Sequence, residues 1–331
     1  MTPLPRLLIT LGDVAGIGPE VVVRAWQSEE LHHVCRPVVV GDVGWLRRTL
    51  GLLNLPGEVV AVRTVGETDA SPRRIVCLQG TEQELSGVRL GTVTAAAGRA
   101  AYDFLCRAID LTQAGAADGI VTAPLHKEGL HAAGLPYPGH TEILAERTGA
   151  PRFAMMLYHD GLGVTHVTLH LALREVFARL RPEAVLEKIE LTAALLARLL
   201  GRPPRIGVCG LNPHASDGGL FGDEERTVIA PAVEAARARG IDASGPWSAD
   251  TLFVRARAGA FEGIVAMYHD QGHIPMKLLA GYRAVNITLG LPLVRTSVAH
   301  GTAYDIAGKG VADPTSLLAA ARVAARLSSR T

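Results

Sequence analysis

The sequence predicts an α/β fold with a mostly parallel sheet and helices on both of its faces. Short apolar runs end at glycine-rich or polar corners, and longer segments with helical spacing follow them. Continuous apolar strands that alternate with helices of this length are typical of a sheet that is buried on both faces. A chain of 331 residues is long enough for one large or two moderate domains with filled cores.

The elements follow in order along the chain. We predict strands at RLLIT, PVVVGD, ADGIVTAP, FAMMLYH, GVTHVTLH, RIGVCGL, GIVAMYHD and AVNITLG. We predict helices at PEVVVRAWQSEEL, TVTAAAGRAAYDFLCRAIDLTQAG, PEAVLEKIELTAALLARLLG, DEERTVIAPAVEAARARG and PTSLLAAARVAARL. Residues 56–91 are richer in polar and turn residues, and we expect an excursion of short strands there.

Charge and cysteine content narrow the class of protein. The formal charge is only +1, from 33 Lys+Arg against 32 Asp+Glu, so no charge signature indicates nucleic acid or an acidic membrane surface. No apolar run reaches the roughly 18 residues that cross a bilayer. Four widely spaced cysteines in apolar settings are typical of buried thiols in a reducing compartment: Cys35, Cys77, Cys106 and Cys209. We expect a soluble, cytoplasmic protein with a small-molecule partner.

Histidines stand at several corners that directly follow predicted strands. They are His140 in PYPGHTE, His170 in TLHLALRE, His214 in GLNPHASDGG, and His269 with His273 in MYHDQGH. Any one of them, taken alone, is more simply a capping or hydrogen-bonded core residue. Three imidazoles from different strand ends can nevertheless hold a divalent metal and leave coordination positions open, as catalytic sites do. The spacing permits this convergence but does not prove it.

Further polar groups follow the last of these histidines. Lys277, Asn286 and Arg295 come in quick order, and the planar fork of arginine suits a phosphate or carboxylate. Internal salt bridges are the simpler interpretation of each residue alone. The turn GHTE, with His140 and Thr141, supplies donors that could bind an anion.

The N-terminal loop LGDVAGIGPE matches only part of a dinucleotide-binding fingerprint. Gly16 and Gly18 fit it, and Asp42 lies at a suitable distance, but Val21 occupies the third glycine position. Pro19 suits the first turn of a helix. We therefore favour a tight turn that leads into a helix over a Rossmann phosphate loop.

Six motifs together resemble one known family in order and over almost the whole chain. They are GDVAGIGPE, TAPLHKEGL, PGHTEILA, GLNPHASDGGLFGDEE, MYHDQGHIPMK and VNITLGLPLVRTSVAHGTAYDIAGKG. This set resembles the 4-hydroxythreonine-4-phosphate dehydrogenase (PdxA) family of pyridoxine biosynthesis.

The resemblance implies a fold similar to that of isocitrate and isopropylmalate dehydrogenases, with two α/β domains around a cleft. We place the first domain at residues 1–125 plus 296–331, with both termini, and the second at residues 126–295, with most of the metal and substrate residues. The active site is expected in the cleft and at a homodimer interface. NAD or NADP is expected to bind without the Rossmann fingerprint, at residues that the resemblance leaves unassigned.

The resemblance also assigns roles to residues. The metal ligands, for Zn, Mg or Co, fall on His170, His214 and His269, and they are shared between subunits. The substrate contacts fall on His140, Thr141, Lys277, Asn286 and Arg295. Lys277 is our candidate for proton transfer, because a nearby cation lowers the pKa of a lysine. Asp250 and Asp270 compete with it as bases or as groups that orient metal ligands, and capping or solvation is the simpler interpretation of both.

The implied reaction is the oxidation of 4-phosphohydroxy-L-threonine to a β-keto acid that decarboxylates to 3-amino-2-oxopropyl phosphate. Val14 stands where proline is common in the family, and His273 stands where leucine or a similar apolar residue is common. Other members act on 4-phospho-D-threonate or D-erythronate, and still others on aromatic dihydrodiols, so the substrate stays open. A metal-dependent hydrolase or lyase without nicotinamide and a silent metabolite-binding relative are the remaining hypotheses. The intact set of histidines and Lys277 argues against the silent relative.

Overall fold

A computed structural model describes residues 3–66 and 69–329. They divide into two compact units, which we call unit 1 (Met1–Pro151 with Leu291–Thr331) and unit 2 (Arg152–Gly290). Each unit is built on a sheet with helices packed against it, which confirms the predicted α/β class.

The sheet of unit 1 has six strands, all parallel, in the order β3-β4-β2-β1-β5-β12. They are β1 (Arg6–Thr10), β2 (Arg36–Gly41), β3 (Glu58–Val62), β4 (Arg74–Gln79), β5 (Gly119–Thr122) and β12 (Arg295–Val298). Within β1, Leu8 pairs with Val38 on one side and Ile120 on the other. The predicted excursion forms β3 and β4, and its residues 67 and 68 lie outside the described residues.

The described part of unit 1 has seven helices. They are α1 (Gly18–Trp26), α2 (Glu29–Val34), α3 (Val43–Leu52), α4 (Ala95–Gln113), α5 (Lys127–Ala132), α6 (His140–Thr148) and α12 (Thr315–Ser328). Helices α4 and α5 approach closely, because a Cβ atom added to Gly98 would lie 2.0 Å from the carbonyl oxygen of Gly129.

This helix packing corrects the predicted domain boundary. The first unit continues to Pro151 and not to residue 125, because α5 packs against α4. The chain returns to unit 1 at Leu291 and not at residue 296. His140, Thr141 and Arg295 therefore belong to unit 1, whereas the other predicted site residues belong to unit 2.

The sheet of unit 2 has mixed strand directions, in the order β11-β6-β7-β10-β8-β9. Its strands are β6 (Ala154–His159), β7 (Leu162–His166), β8 (Ile206–Cys209), β9 (Ala243–Trp247), β10 (Gly263–Ala266) and β11 (Val285–Leu289). Strand β6 is antiparallel to β7 and β11, and the other pairs are parallel. A two-residue turn joins β6 to β7, and its Asp160 and Gly161 have φ of 44° and 90°.

The described residues of unit 2 form five helices: α7 (Val176–Arg179), α8 (Pro182–Leu200), α9 (Ala230–Ala238), α10 (Ala249–Arg257) and α11 (His269–Ala280). One apolar cluster joins Ile189 of α8 to Val208 and Val265 of the sheet. A second cluster joins Leu252 of α10 and Met276 of α11 to other sheet residues. Side chains of the sheet are thus buried in one apolar cluster with α8 and α9 and in another with α10 and α11.

Two observations bear on the class of protein. Among the residues that the structure describes, no helix is both long and apolar enough to cross a membrane. All four cysteines are buried and free, as the sequence predicts.

Candidate active site

Arg295 is a buried cation at the start of β12. Its side chain is 2% exposed, and its Nη2 donates a 2.6 Å hydrogen bond to Oγ1 of Thr122 at the end of β5. Burial lowers the pKa of Arg295 to about 9, and the Glu142 carboxylate opposes that shift. The guanidinium therefore stays charged at neutral pH. A desolvated arginine of this kind suits a phosphate or carboxylate ligand.

His140 and Thr141 lie at the start of helix α6, beside this cation. The sequence predicted a donor-rich turn at GHTE; in the structure, helix α6 begins there at His140, and Gly139, in an extended conformation, is its N-cap. Burial, and secondarily the charge of Arg295, lowers the pKa of His140 well below its ordinary range. The imidazole is therefore neutral. Free amide groups at a helix N-terminus favour anions, so this end of α6 and Arg295 together form a candidate phosphate site in unit 1.

Helix α11 presents site residues of unit 2 on one face. It begins at His269, where the sequence predicted only a polar corner. His269, His273 and Lys277 are spaced four residues apart, so their side chains line one face of the helix. Nδ1 of His269 donates to Oδ1 of Asp270 at 2.7 Å, which leaves Nε2 of His269 for a metal.

His170, which follows β7, lies next to His269. The centroids of the two rings are 5.7 Å apart, and the rings are tilted by 45°. His269 is partly exposed and His170 is exposed. Two imidazoles at this separation fit as two of the donors that a divalent cation would take.

His214 lies on a different loop, whose backbone is unusual. His214, Ala215, Ser216 and Asp217 all have φ between 46° and 73°, where non-glycine residues are disfavoured. Glu225 restrains this loop, because its Oε1 accepts hydrogen bonds from the amides of Leu211 and Asn212, each at 2.7 Å.

The charge of Glu225 is stabilised by those contacts. Burial alone would raise the pKa of Glu225, but the hydrogen bonds from Asn212 and Leu211 outweigh it and lower the pKa. Asp250, at the start of α10, has its pKa lowered first by a hydrogen bond from Ser248 and further by its interaction with His214.

The predicted set of three metal ligands does not assemble in one chain. Within residues 3–66 and 69–329, no group of three or more His, Cys, Asp or Glu side chains is placed to hold a metal ion. His170 and His269 come together, whereas His214 lies on another loop, where its charge interaction lowers the pKa of Asp250. The prediction of ligands shared between subunits stays a prediction.

Lys277 and Asn286 complete the predicted residues of unit 2. Partial burial lowers the pKa of Lys277. Asn286 lies in β11, opposite Leu157, and its Oδ1 is buried without a hydrogen-bond partner in the described chain. An acceptor in that position is available to a ligand donor.

Sequence reasoning named His273 only among the corner histidines and missed its partner, His166. His273 stacks on His269, with ring centroids 3.7 Å apart and an interplanar angle of 9°. Nε2 of His166, the last residue of β7, lies 3.1 Å from Nδ1 of His273. Burial, and then neighbouring imidazoles, lowers the pKa of His166 to about 3 and that of His273 to about 4. The four-residue spacing in HDQGH and in HVTLH was the available signal.

The N-terminal loop does not form a Rossmann phosphate loop. Cβ atoms added to Gly16 and Gly18 would lie 2.7 Å from the carbonyl oxygen of Thr302 and 2.5 Å from that of Leu11, respectively, so both glycines serve close packing. Asp42 is the N-cap of α3 and accepts from the amide of Trp45 at 2.6 Å. This observation agrees with the tight turn predicted from the sequence.

Comparisons with known proteins match this arrangement. The family model "Pyridoxal phosphate biosynthetic protein PdxA" matches residues 33–324. D-threonate 4-phosphate dehydrogenase of Cupriavidus necator is 49% identical over 99% of this chain and 98% of its own. 4-hydroxythreonine-4-phosphate dehydrogenase of Geobacter metallireducens is 46% identical over 98% and 95%.

A solved structure agrees with these relatives in both sequence and fold. The crystal structure of 4-hydroxythreonine-4-phosphate dehydrogenase from Klebsiella pneumoniae superposes with a TM-score of 0.90, at 43% identity, over 98% of this chain and 99% of that one. The chain therefore belongs to the PdxA family of oxidoreductases.

Proposed function

We propose that the protein oxidises the secondary alcohol of 4-phosphohydroxy-L-threonine, with NAD or NADP and a divalent metal ion. The product is a β-keto acid that decarboxylates to 3-amino-2-oxopropyl phosphate. The observation that carries the proposal is the buried Arg295 beside the N-terminus of α6, which suits the phosphate of such a substrate. Relatives named for this activity are 46% identical to the chain.

The residues of the two units have different tasks in this proposal. Arg295, His140 and Thr141 bind the phosphate. His170 and His269 supply imidazole donors for the cation, with His214 as the third. When bound, the metal would lower the pKa of the coordinated alcohol and polarise the carbonyl formed from it, while the nicotinamide would accept hydride.

Proton transfer and ligand orientation are assigned to side chains near the imidazoles. Lys277 accepts the proton of the alcohol, since its lowered pKa makes the neutral amine more accessible. Asp270 orients His269 through Nδ1. The lowered pKa of Asp250 suits it to orient His214 more than to act as a base.

The cytoplasm is the proposed location of the protein, because its buried free thiols fit a reducing compartment.

A homodimer with a shared site is part of the proposal. Large apolar side chains stay exposed on the segments that carry the metal and base candidates, with Leu173 at 64%, Leu220 at 73% and Leu278 at 82% exposure. A partner subunit commonly covers exposed apolar side chains next to a shared site. A second copy that covers them would also let His214 of one chain complete the donors of the other.

The second candidate substrate is 4-phospho-D-threonate or D-erythronate, which carries a hydroxyl in place of the amine. It is favoured by the 49% identity to a D-threonate 4-phosphate dehydrogenase. The test is a panel of phosphorylated hydroxy acids, each assayed for nicotinamide reduction with NAD and NADP and with Mg²⁺, Zn²⁺ and Co²⁺. Turnover of only the amine-free acids would replace the first candidate with the second, and no reduction with any of them would refute both.

The role of Lys277 can be tested separately. Lys277→Ala should keep metal and substrate affinity but lose turnover by about two to four orders of magnitude, as expected when a general base is removed. The measurements are kcat, KM and metal binding. A variant that keeps a near-normal kcat would remove Lys277 from the mechanism.

A further inference from the structure

The contact between His166 and His273 has no role in the proposed reaction. His166 is 1% exposed, whereas His273 is half-buried, so the pair links the core of unit 2 to the face of α11 that carries His269 and Lys277. Gly272 makes room for it, because a Cβ atom there would lie 2.4 Å from Nε2 of His166. The glycine of HDQGH thus has a specific purpose: no other residue permits this approach.

Hydrogen bonding fixes which nitrogen of His273 carries a hydrogen. Its Nδ1 lies 3.2 Å from the carbonyl oxygen of His269, which can only accept, so Nδ1 is the donor. The same Nδ1 lies 3.1 Å from Nε2 of His166, which must therefore accept. In a neutral imidazole with a hydrogen on Nδ1, Nε2 is an acceptor. The neutral form of His273 therefore has its free lone pair on Nε2.

The stacking geometry separates His273 from the metal ligands. An imidazole binds a metal ion in the plane of its ring, at about 2.0–2.1 Å from the nitrogen. The rings of His269 and His273 are nearly parallel, at 9°, with centroids 3.7 Å apart. One ion cannot lie in the planes of both rings at bonding distance, so His273 does not join His269 on a common ion.

We propose that His273 is a substrate-binding residue whose Nε2 accepts a hydrogen bond from a hydroxyl or amine hydrogen of the bound hydroxy acid, and that His166 is the positioning residue that fixes its tautomer. The inference rests on the proposed function, because it takes the same phosphorylated hydroxy acid as its ligand. It adds a fourth imidazole with a task different from that of the metal donors. Lys277, one helical turn further on, lies on the same face as this acceptor.

Three variants test the assignment. His166→Leu removes the acceptor that holds Nδ1 of His273, His166→Gln keeps an acceptor oxygen near the position of Nε2, and His273→Leu removes the imidazole. His33→Leu, at an exposed histidine of α2, is the matched control. Binding of 4-phosphohydroxy-L-threonine and of 4-phospho-D-threonate is measured by calorimetry without nicotinamide, Co²⁺ affinity by absorption, and the His273 tautomer by heteronuclear NMR of its ring nitrogens.

We expect His166→Leu and His273→Leu to weaken substrate binding about fivefold, as the loss of one uncharged hydrogen bond implies, with Co²⁺ affinity unchanged. His166→Gln should restore most of the binding, and His166→Leu should change the ring-nitrogen spectrum of His273. Loss of Co²⁺ affinity with unchanged substrate binding would overturn the proposal, as would wild-type substrate binding in both leucine variants. If the wild-type protein binds neither acid, the proposed function fails, and the NMR result still decides whether His166 fixes the tautomer.

Discussion

The two candidate sites use opposite means to bind a ligand. In unit 1, one fixed cation, Arg295, is buried next to a neutral imidazole and a helix N-terminus. In unit 2, four imidazoles and Lys277 lie near one another, several of them partly exposed. Burial lowers the pKa of Arg295 as it does those of His166, His273 and Lys277, but Arg295 starts from so high a value that it stays charged.

The difference shows what each site can do. A guanidinium that keeps its charge in a desolvated position is a permanent anion receptor, and it needs no metal. Neutral imidazoles offer lone pairs, which suit a cation or a hydrogen-bond donor and can change partners during a reaction. A phosphorylated hydroxy acid needs both properties at different atoms.

The largest effect is expected at Arg295. Arg295→Leu should raise the KM for the phosphorylated substrate about a thousandfold, because two charge-assisted hydrogen bonds worth about 1.5–3 kcal/mol each are lost. Arg295→Lys keeps the charge but lacks the planar fork, so its KM should lie between those of the wild type and Arg295→Leu. Steady-state kinetics gives the KM, and thermal unfolding checks that the variants fold. A KM within tenfold of the wild-type value in Arg295→Leu would show that the phosphate binds elsewhere.

The next largest effect is expected on the stability of unit 2, at Glu262. Hydrogen bonds from Arg205 and Arg202 outweigh the burial of Glu262 and lower its pKa from 4.5 to about 2. Because the folded-state pKa lies below the unfolded one, this stabilisation is full above pH 4.5 and is lost as pH falls toward 2. Glu262→Gln should therefore reduce the free energy of unfolding by about 3 kcal/mol at neutral pH but by little at about pH 2.

Urea unfolding at several pH values measures that difference. Glu234→Gln, at an exposed carboxylate of α9, is the matched control and should unfold like the wild type at every pH. A constant difference between Glu262→Gln and wild type across the acid range would contradict the linkage to this carboxylate.

The smallest effect is expected at the loop that carries His214. Glu225→Gln replaces the carboxylate that accepts from two loop amides, and we expect divalent metal affinity to fall about tenfold, as is typical for residues behind metal ligands. Titration with Co²⁺ measures it, again against Glu234→Gln. An unchanged Co²⁺ affinity in Glu225→Gln would show that the strained loop does not contribute to metal binding.

Much of this architecture could be predicted from local patterns. The runs RLLIT and PVVVGD are strands because continuous apolar residues need burial on both faces, and residues 182–200 form a helix because their apolar positions recur at helical spacing. The antiparallel direction of β6 could not be predicted, since an apolar run does not encode its direction. The helical start at His269 was also missed, because polar residues after a strand fit a loop equally well.

The same limit applies to the site residues. Arg295 was predicted as an anion-binding residue, but its contact with Thr122 joins residues 173 positions apart, which no local pattern contains. His166 was read only as part of a strand, because its partner His273 lies 107 positions further along the chain.

The sequence alone determined the α/β class, the family and the residue types that the chemistry requires, because these depend on periodicity and on motifs that are local. Which of those side chains meet, as His170 does with His269 and His166 with His273, depends on the tertiary structure. Hydrogen bonds and metal sites depend on distances of a few ångströms, and only the packing of strands and helices brings distant segments that close.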